Sequence, residues 1–237
     1  MKILNVLNMK RIVFPFLVMV ILGLSSCMKP GDNIQNYQLL PAFVEFDLSL
    51  GFTLKTPLGT IVSPDIQKAT DLDWGDAVIT SFTVNFDQQA STEYTVAYNV
   101  EYAKAVRGSA VATSEGVSIT GDFDLPIEMM GIYGGLENYL FFGFAHKGTI
   151  DADRFVYEMT YDVNEPVLYI RAKKAESGAK NQLCACSMSS FYTAHKNAEN
   201  TVTFTIQYKT GVDENGIEKF ELLKDDYGTS NIYVDLK

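Results

Sequence analysis

The fold is decided by the stretch Val78-Ile79-Thr80-Ser81-Phe82-Thr83-Val84-Asn85-Phe86, in which apolar and polar side chains alternate. The same alternation returns in Tyr94-Thr95-Val96-Ala97-Tyr98-Asn99-Val100-Glu101-Tyr102, where tyrosine or valine occupies every second position. A period of two places alternate side chains on one face of a β-strand, whereas a helix repeats every 3.6 residues. We therefore expect both stretches to be strands with one face in a core.

Short apolar runs of the same kind continue to the end of the chain. Between them lie turn signals such as Asp71–Asp76, Asn164–Pro166 and Asp213–Gly216, which carry the Asp, Asn, Pro and Gly that tight connections need. Helix is expected only in fragments, around 183–195. Many short strands with regular turns predict an all-β protein.

The spacing of these runs divides the chain into two parts. Residues 39–124 contain about five strands, which suit a small OB-like barrel, and residues 125–237 contain six or seven, which suit a β-sandwich. The small and polar stretch 108–124 is expected to connect them. One continuous sandwich is the alternative.

The N-terminus has the three parts of a bacterial lipoprotein signal peptide, predicted to span residues 1–26. Lys2, Lys10 and Arg11 precede an apolar run too short to span a bilayer, and the run closes on Leu24-Ser25-Ser26-Cys27. This closing sequence resembles a lipobox, so Cys27 is predicted to carry palmitate and other acyl chains. Residues 27–38 are then a polar tether. The expected location is the outer membrane, with the periplasmic or surface face left open because only Asp32 follows as an early acidic residue.

The composition argues against one class of partner. Beyond residue 26, 16 Lys and Arg remain against 29 Asp and Glu, a net charge of −13. Nucleic-acid binding needs clusters of Lys and Arg beside stacking aromatics. The strands offer aromatics (Phe82, Phe86, Tyr94, Tyr98 and Tyr102) but no basic cluster, so we expect these rings to pack in the core and nucleic acid not to bind.

Two cysteines and two histidines in the chain that follows the tether are candidates for a metal or redox site. Cys184 and Cys186 face one side if they lie on a strand, and they could form a disulfide, bind a soft metal or remain separate thiols. His195 follows nine residues later, and His146 could approach in space to complete a Zn²⁺ set. The spacing matches no standard zinc module, so buried thiols or a local disulfide, with no metal and no cofactor, is the expectation.

Trp74 is the single tryptophan of the chain and lies in an Asp-Trp-Gly turn. Such a ring could stack on a sugar, which makes Trp74 a candidate ligand-binding residue. The alternative, which we favour, is that it caps one end of the barrel by covering apolar surface.

The order of these motifs resembles that of the NigD-like lipoproteins of Bacteroidetes. The resemblance rests on the lipobox, Gly59–Pro64, Asp71–Asp76 leading into Val78–Phe86, and then Glu137–Phe144 with Phe155–Met159. It implies an OB-like domain followed by a β-sandwich, in a family named from a bacteriocin-associated operon. It implies no catalytic residue.

The sequence also lacks the motifs of common enzymes, such as a Gly-x-Ser-x-Gly elbow or His-Glu-x-x-His. We therefore expect an envelope lipoprotein that is not an enzyme and acts as a binding or interaction module, held to the membrane by its lipid and contacting another envelope protein or a glycan. The alternatives are a glycan-binding accessory protein and a metal or redox module built on Cys184 and Cys186.

Overall fold

The computed structural model describes residues 33–146, 154–175, 182–225 and 227–236. Within these ranges strands are the main secondary structure and the only α-helices are two short ones, so the prediction of an all-β fold is confirmed. The strands and the two short helices are, in order, β1 (Ile34–Asp47), β2 (Gly51–Thr56), β3 (Gly59–Val62), α1 (Pro64–Gln67), β4 (Ala77–Asn85), β5 (Thr95–Ala112), β6 (Met129–Leu136), β7 (Tyr139–Ala145), β8 (Phe155–Tyr161), β9 (Val167–Lys174), β10 (Leu183–Ser187), α2 (Ser189–His195), β11 (Thr201–Val212), β12 (Glu218–Leu222) and β13 (Ile232–Asp235).

The first five strands close into a barrel. β1 pairs antiparallel with β2 and β4, β2 with β3, and β4 with β5, and a parallel pairing of β3 with β5 completes the circle. The alternating apolar faces of these strands fill its core, where Val44, Leu54, Val78 and Val84 are buried. This is the OB-like barrel that the sequence predicted.

The remaining strands form two sheets over a second core. One sheet runs β6-β7-β10 to the end of β5, and the other runs β8-β9-β11, with β12 and β13 on β11. Phe142 and Phe144 on β7 face Leu168 and Ile170 on β9 across this core. The helix fragment expected at 183–195 is therefore part strand, because Leu183–Ser187 pairs with two neighbours, and only Ser189–His195 is helical.

β5 joins the two parts and corrects the expected connection. Its first half pairs with β4, whereas Val106–Ser109 pairs with β10 and Ala110–Ala112 pairs with β8. The segment Gly108–Ala112 is thus strand rather than loop. Gly108 lies beside the second core, where an added Cβ would be at an ordinary contact distance of 3.7 Å from Cys184 Sγ and Met159 Sδ.

A third cluster packs the barrel against the sheet β6-β7-β10. Phe43 and Ile79 from the barrel meet Phe141 and Ala185 from the sheet, with the rings of Phe43 and Phe141 5.5 Å apart. Along β7 and β10, every second side chain therefore faces the barrel, and the side chains between them face the second core. This explains why 138–144 reads as a nearly continuous apolar run.

Residues 113–125, which we call the strap, lie over the outer face of β8 and β9. The backbone oxygen of Gly116 accepts hydrogen bonds from Thr160 Oγ1 and Arg171 Nη1, and the backbone N–H of Ile119 donates to Glu158. The strap buries these polar groups while giving them partners, as buried polar groups require. No helix in the described part of the chain is both long and apolar enough to cross a bilayer.

Candidate functional site

Trp74 is exposed to solvent over 78% of its surface. The capping of the barrel end, which we had favoured for Trp74, is carried instead by Ile66 on α1 and by Leu72, both buried in the barrel core. Leu72 precedes Trp74 by two residues and points inward, so the turn that follows can direct the indole outward. The expectation that Trp74 covers the barrel is therefore wrong.

The turn that carries Trp74 is fixed by hydrogen bonds from its backbone N–H groups. The N–H of Gly75 donates to the oxygen of Val44 on β1 at 2.8 Å, and the N–H of Asp73 donates to Asp76 Oδ2 at 2.8 Å. Gly75 has a φ of +86°, a conformation that glycine adopts without the steric cost of a side chain. The exposed indole thus stands on a rigid support.

Two cations on β5 hold the turn from the other side. Lys104 forms an ion pair with Asp76 at 2.6 Å and donates to the backbone oxygen of Asp71 at 2.7 Å. Arg107 donates to the backbone oxygen of Gly75 at 3.2 Å, and its guanidinium lies 5.3 Å from the centroid of the Tyr139 ring. The turn is therefore tied to both the barrel and the neighbouring sheet.

The β1–β2 hairpin presents further apolar side chains at the same end of the barrel. Leu48 is 98% exposed and Phe46 is 55% exposed. The ladder between β1 and β4 ends at Phe43 and Ala77. Beyond it, Asp73–Asp76 is a turn in which the N–H of Asp76 donates to the oxygen of Asp73 at 3.1 Å.

Two carboxylates belong to these turns: Asp47 lies between Phe46 and Leu48, and Asp71 precedes Trp74 by three residues. Asp47 accepts hydrogen bonds from Ser49 and Leu50, and the side-chain bond from Ser49 is the main cause that lowers the pKa of Asp47. Tyr102 donates to Asp71, and this hydrogen bond, together with burial, raises the pKa of Tyr102 to about 12. Asp47 is thus held in the ionised form.

Cys184 and Cys186 lie on one face of β10, as the i, i+2 spacing predicted, and are fully buried in the second core. They form no disulfide, so of the three alternatives the structure has separate thiols. Burial raises the pKa of Cys184 well above its usual value and that of Cys186 to about 12. The thiolate, the form that binds metals and attacks disulfides, is therefore disfavoured.

The two histidines have separate environments. His146 Nδ1 is 2.9 Å from the backbone oxygen of Pro126, and its ring stacks on Phe155 at 5.1 Å. His195 ends α2 and lies against Phe191 and Tyr161. Burial lowers the pKa of both imidazoles. Among the residues that the structure describes, no group of three or more His, Cys, Asp or Glu is placed to hold a metal ion.

The aromatic residues considered for nucleic-acid stacking differ in how deeply they are buried. Phe82 is buried in the barrel core, and Tyr102 is engaged by Asp71. Phe86 and Tyr98 are exposed, at 48% and 37%. Phe82 thus fits the prediction of core packing, whereas Phe86 and Tyr98 do not.

Cys27, the predicted lipidation site, lies outside the described residues, as do the signal peptide and most of the tether. Within the tether, Ile34 already belongs to β1.

Sequence reasoning missed Leu48, Lys104 and Arg107. The available signal for Leu48 was an apolar residue inside a turn, between Asp47 and Gly51. Lys104 and Arg107 gave no signal, because the groups that they contact, on Asp71, Gly75 and Asp76, are distant in sequence.

Comparison with known proteins shows the fold of the chain. No family model matches this sequence, and no curated protein does. An uncharacterized protein from Parabacteroides merdae has a TM-score of 0.62 at 15% identity, over 86% of this chain and 99% of that chain.

Two further solved structures are similar over a large share of the chain but with TM-scores below 0.5. A NigD-like immunity protein from Bacteroides caccae has a TM-score of 0.43 at 12% identity, over 79% of this chain and 91% of that chain. A protein from Bacteroides fragilis described as a lipoprotein has a TM-score of 0.48 at 11% identity, over 79% and 97%. The chain therefore has the fold of the Parabacteroides merdae protein.

Proposed function

We propose that this chain is a NigD-like envelope lipoprotein, anchored in the outer membrane through acylated Cys27, that acts as a non-catalytic binding module. Three features support the proposal: the lipobox ending at Cys27, the motif order of the sequence, and an exposed contact residue on a rigid β scaffold. Trp74 is the contact residue in this account. No cofactor is required.

The observation that carries the proposal is the exposure of Trp74 at 78% on a hydrogen-bonded turn. A large aromatic side chain left in water forgoes the free energy of burial, about 1.5 to 3 kcal/mol for a side chain of such size. Tryptophan is also among the residues most enriched at binding hot spots. A rigid and exposed Trp74 loses little conformational entropy when a partner covers it.

The anchor is tested by labelling cells with an alkyne analogue of palmitate and comparing the full chain with its Cys27→Ala variant. We expect label on the full chain, none on the variant, and recovery of the labelled protein in the outer-membrane fraction. Label that persists in Cys27→Ala, or recovery of the full chain in a soluble fraction, would reject the anchor.

The absence of catalysis is tested by screening the purified protein against esters, glycosides, phosphodiesters and peptides. We expect no turnover above a buffer control. Turnover that a single carboxylate or serine substitution abolishes would show an enzyme instead.

A glycan-binding accessory protein is the second candidate, and the exposed indole of Trp74 favours it. An aromatic face can cover the C–H face of a sugar ring, and Asp73 and Arg107 beside it could bind hydroxyl groups. The test is a glycan array probed with the full chain, Trp74→Ala and the matched control Tyr233→Ala, which removes a 62% exposed ring from β13. Binding lost only in Trp74→Ala would support this candidate, and binding equal in all three proteins would reject it.

A further inference from the structure

We propose that three exposed side chains at the end of the barrel where β1 begins, Ile34, Phe86 and Tyr98, dock on the zwitterionic headgroup surface of the bilayer that holds the acyl chains of Cys27. We call these three residues the tether-side patch. This inference rests on the proposed function, because it takes the lipid on Cys27 as given. It adds a second membrane contact, which fixes the orientation of the folded chain on the bilayer.

Ile34 and Phe86 are neighbours through the strand pairing at this end of the barrel. Ile34 on β1 pairs with Asn85, the last residue of β4. The N–H of the next residue, Phe86, donates to the backbone oxygen of Asn33 at 2.8 Å. Phe86 therefore lies opposite the residue that precedes Ile34, and the Cα atoms of Ile34 and Phe86 are roughly 6 Å apart.

Tyr98 extends the patch across the barrel wall. Asn36, Thr83 and Tyr98 are paired in a row across β1, β4 and β5. Paired residues of antiparallel strands project to the same face, and Ile34, two residues before Asn36, shares that face. With about 4.8 Å between strands and 3.3 Å per residue, the Cα atoms of Ile34 and Tyr98 lie roughly 12 Å apart. One flat surface can contact all three side chains.

The patch leaves apolar surface in water. Ile34, Phe86 and Tyr98 are 50%, 48% and 37% exposed, whereas Phe82 and Val84, earlier on β4, are buried in the barrel core. Contiguous exposed apolar side chains mark interaction sites, and aromatic side chains are enriched at the level of lipid headgroups. The exposure of Phe86 and Tyr98, which core packing does not explain, fits a membrane contact.

The short distance to the predicted anchor identifies the bilayer as the occupant. Ile34 follows Cys27 by 34 − 27 = 7 residues. Seven residues span at most about 25 Å when fully extended, so the patch stays within that distance of the bilayer surface. The turn that carries Trp74 bonds to Val44, roughly 30 Å farther along β1. Docking through the patch therefore directs Trp74 away from the membrane.

The charges near the patch select a zwitterionic surface. Residues 33–38 and 82–98, which form this end of the barrel, contain no Lys or Arg, and their charged residues are Asp87 and Glu93. Both are exposed, and Asp87 accepts a hydrogen bond from Asn33 at 2.7 Å. The intervening residues 28–32 contain one Lys and one Asp, which cancel. An anionic surface attracts clusters of Lys and Arg, so it would repel this end of the barrel.

The neighbouring elements do not reverse this charge. α1 contributes Asp65, which accepts from the N–H of Val100 on β5, and Glu101 follows on the same strand. Lys68 comes after Gln67, whose side chain donates to Leu50 in the hairpin at the opposite end of the barrel. Lys104 is likewise at the opposite end, paired with Asp76.

Tryptophan fluorescence measures the contact, because Trp74 is the single tryptophan of the chain. The lipoprotein is purified from membranes, mass spectrometry verifies its acyl chains, and it is reconstituted into phosphatidylcholine vesicles with acyl chains brominated near the headgroup. Bromine quenches an indole that contacts the bilayer. The unsubstituted chain reports on Trp74, and a reporter chain with Trp74→Phe and Phe86→Trp reports on the patch.

Two further variants of the reporter chain form a matched pair. Ile34→Ser removes an apolar side chain of the patch, and Ile217→Ser removes one that is 64% exposed in the β11–β12 turn. Circular dichroism verifies that each variant is folded.

We expect brominated lipid to lower the emission of the reporter chain about twofold relative to unbrominated vesicles, and to leave Trp74 of the unsubstituted chain unchanged. Ile34→Ser should weaken this quenching and Ile217→Ser should not. Added phosphatidylglycerol should also weaken it, and salt should restore it by screening.

Equal quenching of the reporter and unsubstituted chains, no quenching of the reporter chain, or unchanged quenching in Ile34→Ser would overturn the inference. Stronger quenching with phosphatidylglycerol would do the same, because charge rather than the apolar patch would then orient the chain. Reporter emission that shifts with protein concentration in unbrominated vesicles would show that a second copy covers the patch instead.

The acylation measurement separates this inference from the proposed function. If Cys27 has no acyl chain, the anchor and the docking both fail. If Cys27 is acylated and the reporter chain is not quenched, the docking fails while the anchor and the contact role of Trp74 stand.

Discussion

Glu218 is the residue on which the buried charges of the second half depend. Its carboxylate forms hydrogen bonds of 2.8 to 3.0 Å with Arg171 and an ion pair of 3.0 Å with Lys209. The side chains of Arg171 and Lys209 are only 3% and 6% exposed. Burial raises the pKa of Glu218, but the hydrogen bonds from the two cations lower it by more, so the pKa lies below its usual value of 4.5.

Substituting Glu218→Gln leaves these two buried cations without their carboxylate. We expect the free energy of unfolding to fall by about 3 kcal/mol, the low end for a broken buried pair, because Glu218 itself keeps 30% exposure. Urea unfolding monitored by circular dichroism measures the change. The control Glu214→Gln, in the exposed β11–β12 turn, should change stability by less than about 0.5 kcal/mol. Equal stability of the two variants would contradict this account.

Glu218 should also make the free energy of unfolding depend on pH. Because the pKa of Glu218 is lower in the folded protein, its stabilising effect is present above the unfolded value of 4.5 and is lost as pH falls through the folded value. The difference in unfolding free energy between the unsubstituted chain and Glu218→Gln should therefore shrink as pH drops below 4.5. A difference that stays constant down to pH 3 would show that the charge of Glu218 is not the cause.

Cys184 and Cys186 should be unreactive in the folded protein. Both are buried and both pKa values are raised, so the reactive thiolate is scarce and inaccessible. Titration with Ellman's reagent, on a form with Cys27→Ala, should find no reactive thiol before urea is added and two afterwards. Ser109→Cys, at an exposed position of β5, supplies the reactive control. Fast reaction of the native pair would support the redox alternative.

At the scale of elements, the strap 113–125 depends on a glycine. Gly116 has a φ of +66°, and a Cβ there would lie 2.2 Å from the ring of Tyr169. Gly121 in the same strap has a φ of +73° with no atom within 4 Å of an added Cβ. The two glycines thus share a left-handed backbone conformation, but only Gly116 lies against the ring of Tyr169.

We therefore expect Gly121→Ala to cost about 1 kcal/mol, from the left-handed backbone alone. Gly116→Ala should cost about 1 to 3 kcal/mol more, because the methyl group must displace either the strap or Tyr169. Thermal unfolding of both variants measures the difference. Equal stabilities would mean that the strap does not pack on Tyr169 as described.

The elements also show what periodicity can and cannot predict. Ser81–Asn85 and Thr201–Tyr208 were predictable because one face packs in a core and the other is less buried, which leaves a period of two in the sequence. The end of β5 was not predictable, because Gly108, Ser109 and Ala110 are small residues, and small residues are also typical of loops. Trp74 was identified as a candidate, but its exposure could not be derived, because it depends on Leu72 filling the barrel end.

For the whole molecule, the shared strand β5 couples the barrel to the second half. The predicted division into 39–124 and 125–237 would remove Val106–Ala112 from the sheets formed by β10 and β8. We expect a fragment of residues 125–237 to lack a cooperative thermal transition, and a fragment of residues 95–237 to regain one. Circular dichroism melting of the two fragments checks this. A transition of 125–237 at the melting temperature of the full chain would show an independent domain.

The central claim is that Trp74 is both exposed and fixed, and its fluorescence tests that claim most directly. Acrylamide quenching of the isolated chain, measured together with the decay of fluorescence anisotropy, reports accessibility and motion of the one indole. The account predicts quenching close to that of free tryptophan, with an anisotropy that decays mainly at the tumbling rate of the whole protein. Weak quenching would contradict the exposure, and a dominant fast decay would contradict the rigid turn.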